Sequence, residues 1–415
     1  MTIQDGQRTD YPAPTEADVE ESIRKYGRDI YNDLDVDDPS FNHQHVEVID
    51  DIVAKCPVAH SKGGNGYYMA NTNELVRQVG QNWRTFSAAG GYMPNRPDGV
   101  PFLYPEESDP PLHTAWRQAL NPWMGPAAIK DYDVNIRKDA NDLIDAFIEK
   151  GECDFVPEFA AQLPGWAFFK NVLGVPIEDL DKLVDGVESG TFSPDPEERG
   201  AKFGFVFQYL GDYLKKRSEE PPRGDMVDMI AAGVTYEDGT ESPWADRVSV
   251  LVDMTFGGIA TTTYVMASAI NWLSHNPEAR KLLIDEPDTY MPRAIEEFAR
   301  VFAPVVALGR TVTEDTTLGG RELKKGDFVL MNYAGASRDP AVVEDPQTID
   351  ITRETVLHSA FGVGIHRCVG SNLARMELRA TFEEFLKRIH EYTVTEEPEY
   401  ATGLLRSMRH LKLAW

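Results

Sequence analysis

Phe361-Gly362-Val363-Gly364-Ile365-His366-Arg367-Cys368-Val369-Gly370 decides the reading of this 415-residue chain. Its cysteine directly precedes a stretch, about Val369 to Ile389, with the periodicity of a long amphipathic helix. Free backbone N–H groups and the dipole at a helix start stabilise a thiolate, the form in which cysteine binds metals. Gly364 and Gly370 remove side chains where the backbone must turn sharply or approach a flat ligand. Phe361 can pack around the sulfur and exclude water. A lone cysteine is more commonly a buried, inert thiol. A zinc site fits poorly, because one Cys with His358 and His366 lacks paired C-x-x-C ligands.

The rest of the chain sets the frame around that loop. Lys and Arg number 41 against 68 Asp and Glu, a net charge of −27, which argues against nucleic acid, anionic membrane and other polyanionic partners. Hydrophobic residues at 42% and aromatics at 10% can fill a large core. Three cysteines form no disulfide framework and point to a reducing cytoplasm. No basic segment followed by an apolar one opens the chain, so neither a signal peptide nor an anchor is expected. The acidic first fifty residues, with Pro12, Pro14 and Asp35 to Pro39, read as an N-terminal arm (1–50) ahead of a single domain (51–415). A β-like run around Tyr67 and Tyr68 and a helix near Glu74 to Val79 come next. The Gly- and Pro-rich Ala88–Pro111 segment is long enough to be functional. Helical periodicity dominates from His113 to about Ile284. Met254–Leu273 holds twenty residues without a charge, long enough to cross a bilayer. Its Gly257, Gly258, Ser268 and Asn271 favour a buried central helix instead. Short strands are expected at Val305–Val312, Thr317–Leu323 and Asp327–Met331. The fold class is therefore mainly α with small β-sheets (α+β).

Further motifs occur in order along the chain. Glu297-Phe298-Ala299-Arg300 carries Glu-x-x-Arg, and Arg338-Asp339-Pro340 follows. Asp109-Pro110-Pro111-Leu112-His113-Thr114-Ala115-Trp116-Arg117 opens a helix, and Arg310 follows Pro304. Taken singly these are ordinary surface pairs. Together with the cysteine loop they resemble cytochrome P450, a haem-thiolate monooxygenase family, over nearly the whole chain after Cys56. The likeness is to soluble bacterial members of the camphor-hydroxylase type.

That resemblance implies haem b (iron protoporphyrin IX) held between a long central helix and the helix after the cysteine loop. Cys368 would be the iron ligand, and His113, Arg117, Arg310 and His366 would hold the haem carboxylates through charge-assisted hydrogen bonds. His358 is a further candidate for them. Phe361, Gly370 and Gly257 would border the cofactor. Gly257-Gly258-Ile259-Ala260-Thr261-Thr262 is similar to the family's oxygen-handling pattern, so Gly258, Thr261 and Thr262 carry that chemistry. Ala260 departs from the pattern, standing where a carboxylate is usual. Glu297, Arg300 and Arg338 would form a structural ion-pair cluster. The expected substrate wall is Tyr92, Met93, Phe102, Met254, Val305, Val306, Leu308, Leu404 and Leu405, which suits a small hydrophobic, terpenoid-like molecule. With no flavin or nicotinamide fingerprint, electrons are expected from a separate ferredoxin and ferredoxin reductase. These would dock near Arg367, Arg375 and Arg379. A non-catalytic haem-binding or gas-sensing protein is the alternative, as is an atypical outcome such as peroxide-driven oxidation, coupling or rearrangement.

Overall fold

A computed structural model describes residues 13–415, apart from His43, Asn95, Pro97, Asp98 and Thr402. Pro12 and the eleven residues before it, part of the expected arm, lie outside the described residues.

The apolar stretch from Trp244 to His275 forms the centre of the molecule. It is two helices, Trp244–Gly258 and Ala260–His275, that meet at Ile259 with φ −102° and ψ −69°. Two consecutive glycines weaken the helix at this joint. Ten neighbouring helical positions from Thr262 to Leu273 are buried, Val265, Met266 and Ile270 among them, and most of the stretch is packed inside protein. It is a core helix, as expected, but broken where a single one was anticipated.

The main core gathers residues from the helices Leu112–Met124, Asp133–Asp145, Leu180–Phe192, Pro196–Glu219, the two central helices and Ser371–Arg388. A five-stranded sheet lies to one side, in the order Val58–Ser61, Tyr67–Ala70, Phe328–Asn332, Ala307–Val312, Phe86–Ser87. Only the pairing of Tyr67–Ala70 with Phe328–Asn332 is parallel. The expected strand at Thr317–Leu323 is instead a hairpin of Thr316–Leu318 and Arg321–Leu323. Gly319 and Gly320, at φ +54° and +81°, make its turn, a conformation that costs glycine little.

The division expected at residue 50 falls inside the helix His45–Lys55. Tyr26, Ile30, Tyr31 and Leu34 share a core cluster with Ile52, Met69, Val306 and Leu330. From Glu16 onward the arm is therefore part of the packed body: its apolar residues share a cluster with near neighbours such as Ile52 and with Val306 and Leu330, more than two hundred positions away.

The Glu-x-x-Arg pair is fully buried and bidentate, with Arg300 Nε and Nη2 each 2.8 Å from Glu297. Arg300 also donates to the carbonyls of Ser337, Pro346 and Thr348. The third member is Arg353, 3.3 Å from Glu297, where Arg338 was expected. Arg338 pairs with Asp50 at 2.6 Å and so fastens the helix His45–Lys55 to the body. Between them these pairs brace the irregular segment that leads into the cysteine loop.

Candidate active site

The cysteine loop is a set of tight turns. The Gly362 N–H donates to Ser359 O, the Cys368 N–H to Phe361 O, and Gly362 and Gly364 take φ +68° and +73°. A methyl group on Gly364 would run into the Gly80 carbonyl. Its glycine serves close packing against the helix Asn73–Gln81, in a backbone region that other residues resist. Helix Ser371–Arg388 starts three residues after Cys368.

Cys368 is exposed, whereas Cys56 and Cys153 are buried. Even so, burial pushes the Cys368 thiol up, opposed by the Gly370 N–H and the Arg117 charge. Exposure and desolvation coexist only if the sulfur lines an internal cleft, accessible but surrounded by protein. A cation and a backbone donor aimed at it favour the thiolate once a metal takes the proton's place.

Beside the sulfur stands a set of donors without acceptors. The rings of His113 and His366 lie 4.2 Å apart. The Nε2 atom of each is buried with no hydrogen-bond partner among the described residues. Arg310 is buried and donates through Nη1 only to its neighbour's carbonyl, Gly309 O, at 2.6 Å. No carboxylate among the described residues pairs with Arg310 or Arg117; burial, opposed by the charges of Cys368 and Asp253, lowers the Arg117 pKa. Burial, then the charges of Arg117 and Arg310, push His113 down to about 4. His366 is pushed down for the same reasons. Buried cations and orphaned imidazoles are costly unless anions complete them. Two carboxylates on one rigid ligand would do so.

The central helix supplies the free space. Gly257 is exposed within this largely buried element, and a Cβ built on it would meet nothing within 4 Å. Thr261 Oγ1 donates to Gly257 O at 3.0 Å. Thiolate, carboxylate cradle and open helix together fit an iron porphyrin.

The comparisons agree. A family profile described as Cytochrome P450 matches residues 189–399. A steroid C26-monooxygenase of Mycolicibacterium smegmatis is 31% identical over 341 residues, 80% of this chain and 83% of that protein. A linalool 8-monooxygenase of Pseudomonas putida is 30% identical over 76% of this chain and 77% of its own. The crystal structure of CYP101J2 superposes with a TM-score of 0.78 at 27% identity, covering 89% of this chain and 92% of the other. The chain belongs to the cytochrome P450 family. Its cofactor is haem b, and it is a monooxygenase by family.

Other expected P450 positions fall into place or are displaced. His358 Nε2 lies 3.0 Å from Glu296, so it belongs to that ion pair and not to the carboxylate cradle. The Phe361 ring covers the Arg375 guanidinium at 4.2 Å. Arg375 also binds Glu296 at 2.5 Å. Val306 and Leu404 pack with the N-terminal helices. Phe102 is exposed, with Arg96 over its ring. Tyr92, Met93, Val305, Leu308 and Leu405 are half-buried and Met254 is buried. Thr263 bonds back to Ile259 O and across to Ala160 O.

Four acids in or near the site were not expected from the sequence. Glu377, on the helix Ser371–Arg388, is buried close to Thr262, and burial pushes its carboxyl well up. Burial raises Glu188, beside Thr263, to about 7. Glu106 and Asp253 face each other, and both are raised by burial. Of the four, only Asp253 left a trace in the sequence, as a single charge at the edge of an apolar run.

Proposed function

We propose that this P450 inserts one atom of dioxygen into a compact, largely apolar substrate, with electrons from a separate ferredoxin and its reductase. The convergence of Cys368 with four unpaired donors (His113, Arg117, Arg310 and His366) carries this reading. Bound haem supplies the iron at which dioxygen is activated, with the thiolate pushing electron density toward it. The chain's own residues do the rest. Arg117 and the Gly370 N–H favour Cys368 as S⁻ once iron takes the proton's place. His113, Arg117, Arg310 and His366 grip and orient the cofactor's carboxylates. Thr261, on the open turn, holds a water by its hydroxyl, and Thr262 connects that turn to the protonated Glu377. Ala260 itself moves no proton.

The relatives' names support the substrate class, one terpenoid and one steroidal. The half-buried Met93, Val305 and Leu405 suit the same kind of skeleton. Arg367 is exposed beside the cysteine loop, without an ion pair among the described residues, and is the favoured docking cation. Arg375 and Arg379 are already paired, with Glu296 and Glu383. The protein is proposed to work in the cytoplasm. The non-catalytic alternative leaned on Ala260, and Glu377 answers it by supplying an acid from another helix.

The test is the reduced carbon monoxide difference spectrum, followed by product analysis with surrogate redox partners. A thiolate-type band in the wild type, absent in Cys368→Ser, together with substrate-dependent oxygenated product is expected. A histidine-type band in freshly folded wild-type protein would end the proposal, and NADPH use without any oxygenated product across terpenoid and steroid panels would favour the sensor.

A further inference from the structure

Two carboxyl groups reach the same cleft with no cation of their own. Asp253 lies on the helix Trp244–Gly258, one residue before the wall residue Met254. Glu106 comes from the irregular segment ahead of the helix Leu112–Met124. The Glu106 N–H approaches Asp253 Oδ2 at 3.4 Å, and the two side chains are within hydrogen-bonding reach. Both residues are only partly buried, so they open onto a cavity. The charge of Glu106 is felt at Cys368, so the pair lies within electrostatic reach of the cysteine loop.

Three other buried carboxylates are answered by cations: Glu107 by Arg96, Asp139 by Lys170, Glu297 by Arg300. Glu106 and Asp253 form no ion pair among the described residues. The positive charges they sense are Arg310, at Glu106, and Arg117, at Asp253. Those two arginines are committed to the cofactor's carboxylates, so a loaded site leaves the acid pair unanswered. Burial and mutual repulsion then act together: Glu106 is raised to about 7 and Asp253 is raised well up. A second observation points the same way. The Tyr92 hydroxyl has no hydrogen-bond partner among the described residues, and it senses Glu106, Glu107 and Asp253. An acceptor pair and a free phenol thus lie within reach of one another, beside Met93 and Met254, their chain neighbours and two of the apolar residues proposed for the substrate wall.

We infer that Glu106 and Asp253 are specificity determinants and select an apolar substrate that carries one protonated or quaternary nitrogen. A positive charge between two close carboxyls lets both ionise and removes their repulsion. A neutral hydroxyl satisfies one oxygen and leaves the repulsion in place. Tyr92 adds a face that attracts cations. The inference rests on the monooxygenase reading of the cleft, and it narrows the substrate from a hydrocarbon skeleton to a hydrophobic amine.

The holoenzyme is titrated with trimethyl(1-adamantyl)ammonium and its neutral isostere 1-tert-butyladamantane, following the Soret shift. A quaternary nitrogen cannot ligate iron, so the shift reports occupancy of the cleft alone. The ammonium should bind the wild type about tenfold more tightly or better, a preference of the size that charge pairing provides. Glu106→Gln and Asp253→Asn should each reduce that preference, and the double variant should abolish it. Equal or tighter binding of the neutral isostere to the wild type overturns the inference, as does a cation preference that survives in the double variant. Carbon monoxide spectra of the same preparations keep this separate from the family reading: a lost thiolate band indicts the site, a normal one leaves the result to the acid pair. The wild-type comparison stands even if a variant does not fold.

Discussion

Ala260 stands where the family pattern places a carboxylate, and a nearby acid comes from a different element. Glu377 lies beside Thr262 on the helix Ser371–Arg388, and burial favours its protonated form. Its Oε1 has no partner among the described residues. Glu377→Gln preserves shape but removes the transferable proton. Product per NADPH should fall about tenfold with peroxide rising to match, since general-acid contributions run to at least that size. Ala260→Asp, which returns an acid to the open turn, should recover part of the loss in that background. Measuring NADPH, peroxide and product together checks both, and unchanged coupling in a folded Glu377→Gln protein removes Glu377 from the proton route. Cys368, His113, Arg117, Arg310 and His366 were named from the sequence through the family resemblance, since taken singly their motifs are ordinary pairs. Glu377, Glu106 and Asp253 were not. A carboxylate's burial depends on what folds over it, and Glu106 meets Asp253 across 147 positions of chain.

Ion pairs that join elements carry the next set of consequences. Glu297 and Arg300 have zero exposure, so removing one charge strands the other in the interior. Arg300→Met should lower stability by about 3–5 kcal/mol, the usual cost of breaking a buried pair, visible as an earlier urea midpoint of the holoenzyme. Removing both with Glu297→Met/Arg300→Met should cost less than the single change. The Glu-x-x-Arg spacing announced this pair, but its third member was misplaced: Arg338 and Arg353 are both downstream arginines, and only the turn through Asp350 brings the second to Glu297. Glu296 makes a different prediction. Burial would raise its carboxyl, but hydrogen bonds from Arg375 and His358 and their charges outweigh this and lower it from 4.5 to about 2. A carboxyl held low when folded stabilises fully above its unfolded value and loses that contribution as pH falls toward the folded one. Acidification from about pH 5 to pH 3 should therefore lower the melting temperature of the wild type more than that of Glu296→Gln. Equal losses would show that the pair contributes nothing beyond packing.

Over the whole molecule, 68 acidic residues against 41 basic ones repel an acidic electron donor at long range. The docking proposed at Arg367 would have to overcome that field at short range. Electron transfer from an acidic ferredoxin should therefore quicken as salt is first added, then slow once the Debye length falls to contact dimensions, about 3 Å at 1 M. Arg367→Glu should slow transfer at every ionic strength, measured by stopped-flow reduction under carbon monoxide. A rate indifferent to this change would place docking elsewhere. The mainly helical architecture with small sheets was legible from periodicity alone. The N-terminal boundary was not, because Tyr31 and Ile52 share their cluster with late-sequence residues such as Val306 and Leu330. One feature of the cradle reaches beyond catalysis. His113 and Arg117 belong to a helix of the main core, whereas Arg310 belongs to a strand of the lateral sheet. A porphyrin seated between them is a rivet across the seam of two cores, and by mass action it shifts the folded population as its concentration rises. Chains made during haem shortage would open first along that seam and meet proteases there, so the cellular amount of this enzyme would follow haem supply through turnover, with no change in its synthesis.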